Sequence, residues 1–182
     1  MGVRRSHTYQ MKKTAIAYQL LPAKPERDLF CEIIRILGKE FRASKFEPHL
    51  TLFVTAEKDK SPKKVLRQFR SRPIPLNIQG VGFSPKFTKT LFVRFNSSSA
   101  LKKLTADLAR AAGVSSKGPK DPHVSLVYQK IPSPMKKGLA KVIKLPFRTV
   151  RFDSIAAVRL TLPVTTGLDV TKWRTVAKRR LG

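Results

Sequence analysis

A chain of 182 residues is long enough for one domain with a sizeable hydrophobic core, or for two small lobes sharing one. Its 38 Lys and Arg stand against 11 Asp and Glu, a formal net charge of +27 at pH 7, and such a surface repels itself unless something anionic is nearby. The single cysteine, Cys31, excludes an internal disulfide, and one Cys with three His and scattered acids excludes a zinc-type ligand set. No metal and no cofactor is therefore expected. No stretch approaches the roughly 20 apolar residues of a membrane span, so the expectation is a monomer in the reducing cytoplasm, without a membrane, with nucleic acid as the anionic partner.

Residues 1–11 read as a flexible basic tail. The apolar stretch that follows, "TAIAYQLLP" from Thr14 to Pro22, is short and interrupted by Tyr18 and Gln19, which suits a strand better than a cleaved signal. A helix is predicted from Pro25, with Glu26 and Asp28 in its first turn and Leu29, Phe30, Ile33, Ile34 and Leu37 at helical spacing. Cys31 falls in this pattern and is expected in the core. "EPHLTL", Glu47 to Leu52, then opens a strand in which His49, Thr51 and Phe53 share one face and Leu50, Leu52 and Val54 the other. Ser61 and Pro62 start a second helix. "IPLNIQGVGF", Ile74 to Phe83, is the next strand.

The order then repeats. "TLFVRF", Thr90 to Phe95, is a strand, and a serine-capped helix with Leu101, Leu104 and Leu108 on one face stops at Gly113. "HVSLVY" follows as a strand within "DPHVSL", Asp121 to Leu126, and its extension. Pro132 to Lys144 reads as a helix or an irregular segment with Met135, Leu139, Val142 and Ile143 as its apolar set. Phe147 to Pro163 is a long strand or a hairpin, and "LDVTKWRTVAKRRL" an edge strand or a short helix. Each half thus runs strand, helix, His strand, helix, strand, with little sequence identity between halves. That order predicts an α+β protein of two similar lobes, about 12–89 and 90–182 with strand exchange between them allowed. Two antiparallel sheets form a central cleft and helices lie outside.

The two hexapeptides carry the chemistry. Two of the three histidines head the same pattern of His, aliphatic, hydroxyl, Leu. On a strand, residues i and i+2 share a face about 6.6 Å apart, so each imidazole travels with one hydroxyl. Two imidazoles and two hydroxyls across a cleft suit displacement at phosphorus. One neutral ring takes a proton from water, one imidazolium protonates the leaving oxygen, and Thr51 and Ser125 donate to the nonbridging oxygens. The basic residues nearest the motifs, Lys45, Lys117, Lys120 and Lys130, are candidates for guiding a phosphate, and Phe53 has the parity to stack on a base. Arg4, Arg5, Lys12 and Lys13, with Lys178, Arg179 and Arg180, are candidate tails for a phosphate backbone.

"HLTL" and "HVSL", one per half, resemble the paired motifs of the two-histidine (2H) phosphoesterase superfamily, which includes 2'-5' RNA ligases, RNA cyclic phosphodiesterases and cyclic nucleotide phosphodiesterases. "DPHVSLVY" is similar to the second motif of the cyclic phosphodiesterase branch, trailing Tyr included. The resemblance implies the bilobal fold, His49 and His123 as the catalytic pair, and Thr51 and Ser125 as phosphate-binding hydroxyls. It also implies a substrate contact for Tyr128, although five residues from His123 is the wrong parity for a regular strand. The implied reaction is metal-independent opening of a 2',3'-cyclic phosphate, on a nucleotide or an RNA terminus, to a 2'-phosphomonoester, or of ADP-ribose 1'',2''-cyclic phosphate, or reversible 2'-5' ligation. His123 is assigned as base and His49 as acid, the near symmetry of the pair leaving the reverse open. The competing reading is an RNA- or nucleotide-binding module on the same fold without turnover.

Overall fold

A computed structural model describes residues 12–57 and 60–182; the expected tail over 1–11, with Arg4 and Arg5, lies outside the described residues. The elements are β1 (Lys13–Pro22), α1 (Glu26–Glu40), β2 (Leu50–Ala56), α2 (Pro62–Gln68), β3 (Ile74–Phe83), a 3-10 turn (Phe87–Lys89), β4 (Leu91–Phe95) and α3 (Ser99–Ala111). They continue with β5 (His123–Val127), α4 (Ser133–Val142), β6 (Thr149–Leu162), α5 (Gly167–Thr171) and β7 (Arg174–Arg180). Phe147 to Pro163 thus contains one long strand, and the last segment forms both a short helix and a strand.

Helix formation follows the apolar spacing. In α1, Phe30, Ile34 and Leu37 are buried, whereas Cys31, expected in the core, is exposed. One residue beyond Phe30 it is turned about 100° around the helix, away from the buried stripe. In α3, Ser98 caps the helix by accepting from the Leu101 amide, and Leu101, Leu104 and Leu108 are buried. The apolar set expected for α4 is only half correct. Met135 and Val142 are exposed, and Lys136 is buried beside Leu139, Ala140 and Ile143, which pack on the core. Its ammonium donates to the Ser84 carbonyl at 2.8 Å, so the stem is covered while the charge keeps an acceptor.

Every strand pairing is antiparallel, in the order β1-β2-β5-β4-β3-β6-β7, with β6 also paired to β1. Six strands therefore close into a ring of hydrogen-bonded neighbours, with β7 added on β6. β3 leaves the first half to pair with β4, and β6 leaves the second to pair with β1. The long β6 joins the sheets of both halves: Thr149 to Phe152 pairs with β3, and Ser154 to Arg159 with β7. Phe30, Leu50, Val124, Phe152 and Ile155 are fully buried in the core, as expected, whereas Val54, expected on the face of Leu50 and Leu52, is exposed.

β7 also changes the reading of the terminal cations. Lys178, Arg179 and Arg180 belong to this strand. Lys178 bonds Glu47 at 3.0 Å, Arg179 donates to the Leu66 and Arg67 carbonyls at the end of α2, and Arg180 lies 3.8 Å from Asp153. Lys12 pairs with Asp169 at 2.6 Å. Among the described residues no helix is long and apolar enough to cross a membrane.

Candidate active site

The two histidine strands meet at one residue pair, Leu50 opposite Val124, and each of these follows its histidine. Both side chains are fully buried, so strand alternation sends their neighbours to the opposite face. An antiparallel register centred on Leu50 and Val124 sets His49 across from Ser125 and His123 across from Thr51. All four side chains line one cleft, with Tyr128, Gln19, Val54, Thr88 and Trp173.

The imidazoles are held alike. Nδ1 of His49 donates to the Glu47 carbonyl at 2.7 Å, and Nδ1 of His123 donates to the Asp121 carbonyl at 2.8 Å. A carbonyl only accepts, so each Nδ1 carries the proton and each neutral ring keeps a bare Nε2. The acidic side chains are used elsewhere. Glu47 pairs with Arg27 and Lys178, and Asp121 with Lys89 and Arg94, two cations per motif. In Asp121, burial pushes the carboxyl up, but Lys89 and Arg94 together outweigh it and hold the group below its ordinary value.

A second repeated feature decides what else faces the cleft. In β2, Gln19 pairs with Thr51 and Tyr18 with Phe53, leaving Leu52 as an extra residue. In β5, Phe92 pairs with Ser125 and Leu91 with Val127, leaving Leu126 extra. Each strand therefore carries a bulge just after its hydroxyl, and a bulge reverses the side-chain alternation beyond it. Position five after each histidine, Val54 and Tyr128, consequently turns to the cleft. Tyr128 Oη lies 3.4 Å from His49 Nε2, and burial pushes its phenol up to about 12, so it is a neutral donor.

The two rings differ in setting. His49 is 5 % exposed; burial, with repulsion from His123 added, lowers its pKa to about 4 against the pull of the Glu47 carbonyl. His123 is half-buried and also lowered, first by burial and then by Lys89 and Arg94, while its bond to the Asp121 carbonyl opposes. Phe92 stands edge-on to His123 with ring centres 5.4 Å apart. Gly82 makes room for it, since a Cβ there would lie 2.8 Å from that ring. Ser125 donates to the Thr88 carbonyl at 3.0 Å, which fixes its oxygen.

A family model for the 2'-5' RNA ligase superfamily matches residues 31–162. The chain belongs to that superfamily. Its members are the two-histidine (2H) phosphoesterases that the paired motifs resemble. Among solved structures, E. coli LigT complexed with 3'-AMP is similar at 14% identity over 92% of this chain and 98% of that one, with a TM-score of 0.52. E. coli LigT in apo form is similar at 14% identity over 94% and 99%, also at 0.52. At that identity what is shared is the fold. No curated protein matches in sequence.

In this 2H chain the structure brings together His49, Thr51, His123, Ser125 and Tyr128 and leaves four expected residues apart. Phe53 stacks on Tyr18 with centres 4.9 Å apart and packs against the core, because the bulge at Leu52 turned it away from the cleft. Lys117, Lys120 and Lys130 are exposed and line neither the cleft nor the pocket beside it. Lys45 lines that adjoining pocket. Gln19 and Trp173 went unnoticed in the sequence because each is one polar or aromatic residue in an ordinary strand pattern. Among the described residues no cluster of His, Cys, Asp and Glu could hold a metal ion.

Proposed function

We propose that this chain opens 2',3'-cyclic phosphates of nucleotides or RNA ends to 2'-phosphomonoesters without a metal, the acid and base both being its own imidazoles. The observation that carries the reading is the repeated constellation. Two Nε2 atoms, each fixed by an Nδ1 bond to the carbonyl two residues back, share one strand face with two hydroxyls. Family membership supports phosphoester chemistry at this cleft.

The unequal settings of the two rings support a division of labour opposite to the expected one. His49, held neutral by burial, takes the proton of the attacking water on Nε2. The water oxygen bonds to phosphorus, the bond from phosphorus to O3' breaks, and O3' takes the proton from Nε2 of His123. An incoming phosphate anion favours the imidazolium at the more exposed His123. Thr51 faces the nonbridging oxygens where charge develops, and Ser125 joins it by turning its one hydroxyl hydrogen from the Thr88 carbonyl to the phosphate. The net charge of +27 supports an RNA end as the larger substrate.

The test is incubation with 2',3'-cyclic AMP in EDTA, with the product isomer identified. The expected product is the 2'-phosphate, and His49→Ala or His123→Ala abolishes its formation with the fold retained. Full activity in either variant refutes the catalytic pair, and a 3'-phosphate product reverses the leaving group.

A further inference from the structure

Away from the catalytic cleft, a groove runs between α2 and β7, lined by Lys63, Leu66 and Arg67 of the helix and by Val176 to Arg179 of the strand. Four consecutive strand residues point to alternate faces, so together they line a groove only along the strand's edge. β7 is the end strand of the sheet, paired with β6 alone among the described residues. Lys60 to Arg72, the segment that carries α2, holds six Lys and Arg and no Asp or Glu. In α1 and α3, arginines stand against acids of the same helix, Arg35 with Glu32 and Arg110 with Asp107. In α2, by contrast, Lys63 and Arg67 lie one turn apart, and like charges at that spacing repel. Both are exposed and neither has an ion pair among the described residues.

Two further arginines are drawn together at the end of α2. Nη1 of Arg70 and Nη1 of Arg179 both donate to the Arg67 carbonyl, at 2.6 and 2.7 Å. The two guanidinium groups therefore meet at one oxygen, and among the described residues no carboxylate pairs with either. Their other bonds, Arg70 to the Phe69 carbonyl and Arg179 to the Leu66 carbonyl, also use Nη1, so Nε and Nη2 of both stay available. Cations that the fold holds together repel, and an anion seated between them removes the repulsion. Planar guanidinium donors match phosphate oxygens in particular.

The surroundings favour a nucleic-acid backbone over an acidic protein. Protein partners dock through apolar or aromatic anchors, and none of the exposed large apolar side chains belongs to α2 or β7. Neither element carries an aromatic ring on which a base could stack. Contacts here are therefore to phosphates, which carry no base sequence. Lys178 reaches Glu47, two residues before His49, and so ties the groove to the first histidine motif.

Resting on the reading that RNA ends enter the cleft, we infer that the groove between α2 and β7 is a separate docking surface that holds the phosphate backbone of RNA without reading its bases. Fluorescence anisotropy of the full chain with two end-labelled RNAs of unrelated sequence tests it, between about 50 and 200 mM salt. Both RNAs end in a 3'-hydroxyl, which the reaction does not use. Lys63→Gln combined with Arg67→Gln is expected to lower the slope of log affinity against log salt by about 1 to 2, equally for both sequences. Its unfolding temperature is expected not to fall, since the substitutions remove a like-charge pair. Lys137→Gln combined with Lys141→Gln, two exposed cations of α4, is the control and is expected to leave the slope within about 0.3 of the intact chain. An unchanged slope in the groove variant, or an equal fall in the control, overturns the inference, because binding then follows net charge and not this surface. A strong preference for one sequence overturns the backbone contact, and displacement of the RNA by polyglutamate at equal charge overturns the choice of nucleic acid. Turnover of 2',3'-cyclic AMP by the intact chain decides the reaction separately. A chain with turnover but no groove-dependent slope has the reaction and no docking surface, and one with the slope but no turnover has the surface and no reaction.

Discussion

Replacing His49 by Asn keeps a donor near the position of Nδ1 for the Glu47 carbonyl and removes the titratable ring. The folded chain holds the His49 imidazole at about 4, against an ordinary value of about 6.5 in the unfolded chain. Between those values the unfolded chain binds a proton that the folded chain refuses, so this contribution to stability is fully present above about pH 6.5. It is lost as the pH falls through about 4. At about 1.4 kcal/mol per pH unit, the wild type should lose about 2 to 3 kcal/mol more than His49→Asn between about pH 7.5 and 4.5. Urea unfolding followed by far-ultraviolet circular dichroism at both pH values measures the difference, and His123, present in both proteins, largely cancels. Trp173, the single tryptophan, has its ring centre 5.6 Å from that of His49 and gives a second, local signal. Equal pH dependence in the two proteins would refute the argument that burial keeps His49 neutral, and the base role built on it.

Tyr128→Phe removes the hydroxyl 3.4 Å from His49 Nε2 and leaves the ring packing against Phe46. Steady-state kinetics on 2',3'-cyclic AMP should show kcat down by roughly tenfold with thermal stability nearly unchanged. Phe53→Ala should do the reverse, costing about 1 to 3 kcal/mol in denaturant unfolding and leaving KM unaltered, because Phe53 packs on Tyr18 and not in the cleft. A raised KM in Phe53→Ala with full stability would return that ring to the substrate.

Much of the fold is local and was readable as such. The apolar spacing of Phe30, Ile34 and Leu37, the serine cap at Ser98 and the strand composition of Ile74 to Phe83 locate their elements without reference to the rest of the chain. Cys31 and Lys136 show the weak point of that reasoning. One step around a helix separates core from solvent, and a long amphipathic side chain can cover apolar surface as well as Met135 could. The exchange of β3 and β6 between the halves depends on which strand edges meet, and no local pattern carries that information.

The candidate site divides in the same way. Residue identity carries the proposed chemistry: two imidazoles, which exchange protons near neutral pH, and two hydroxyls stand in matching tetrapeptides. Identity alone does not show what the duplicated positions Glu47 and Asp121 supply. What holds the histidines is the backbone carbonyl at those positions, a partner every residue has, while their carboxylates are occupied by cations. Tertiary structure decided the rest. The pairing of Leu50 with Val124 brings the two motifs onto one face, and the bulges at Leu52 and Leu126 send Tyr128 into the cleft and Phe53 out of it. The unequal burial of His49 and His123, on which the proposed division of their roles rests, belongs to the tertiary structure as well. Register, bulges and desolvation arise from contacts between segments distant in the chain, and the sequence of one segment does not record what its neighbour will be.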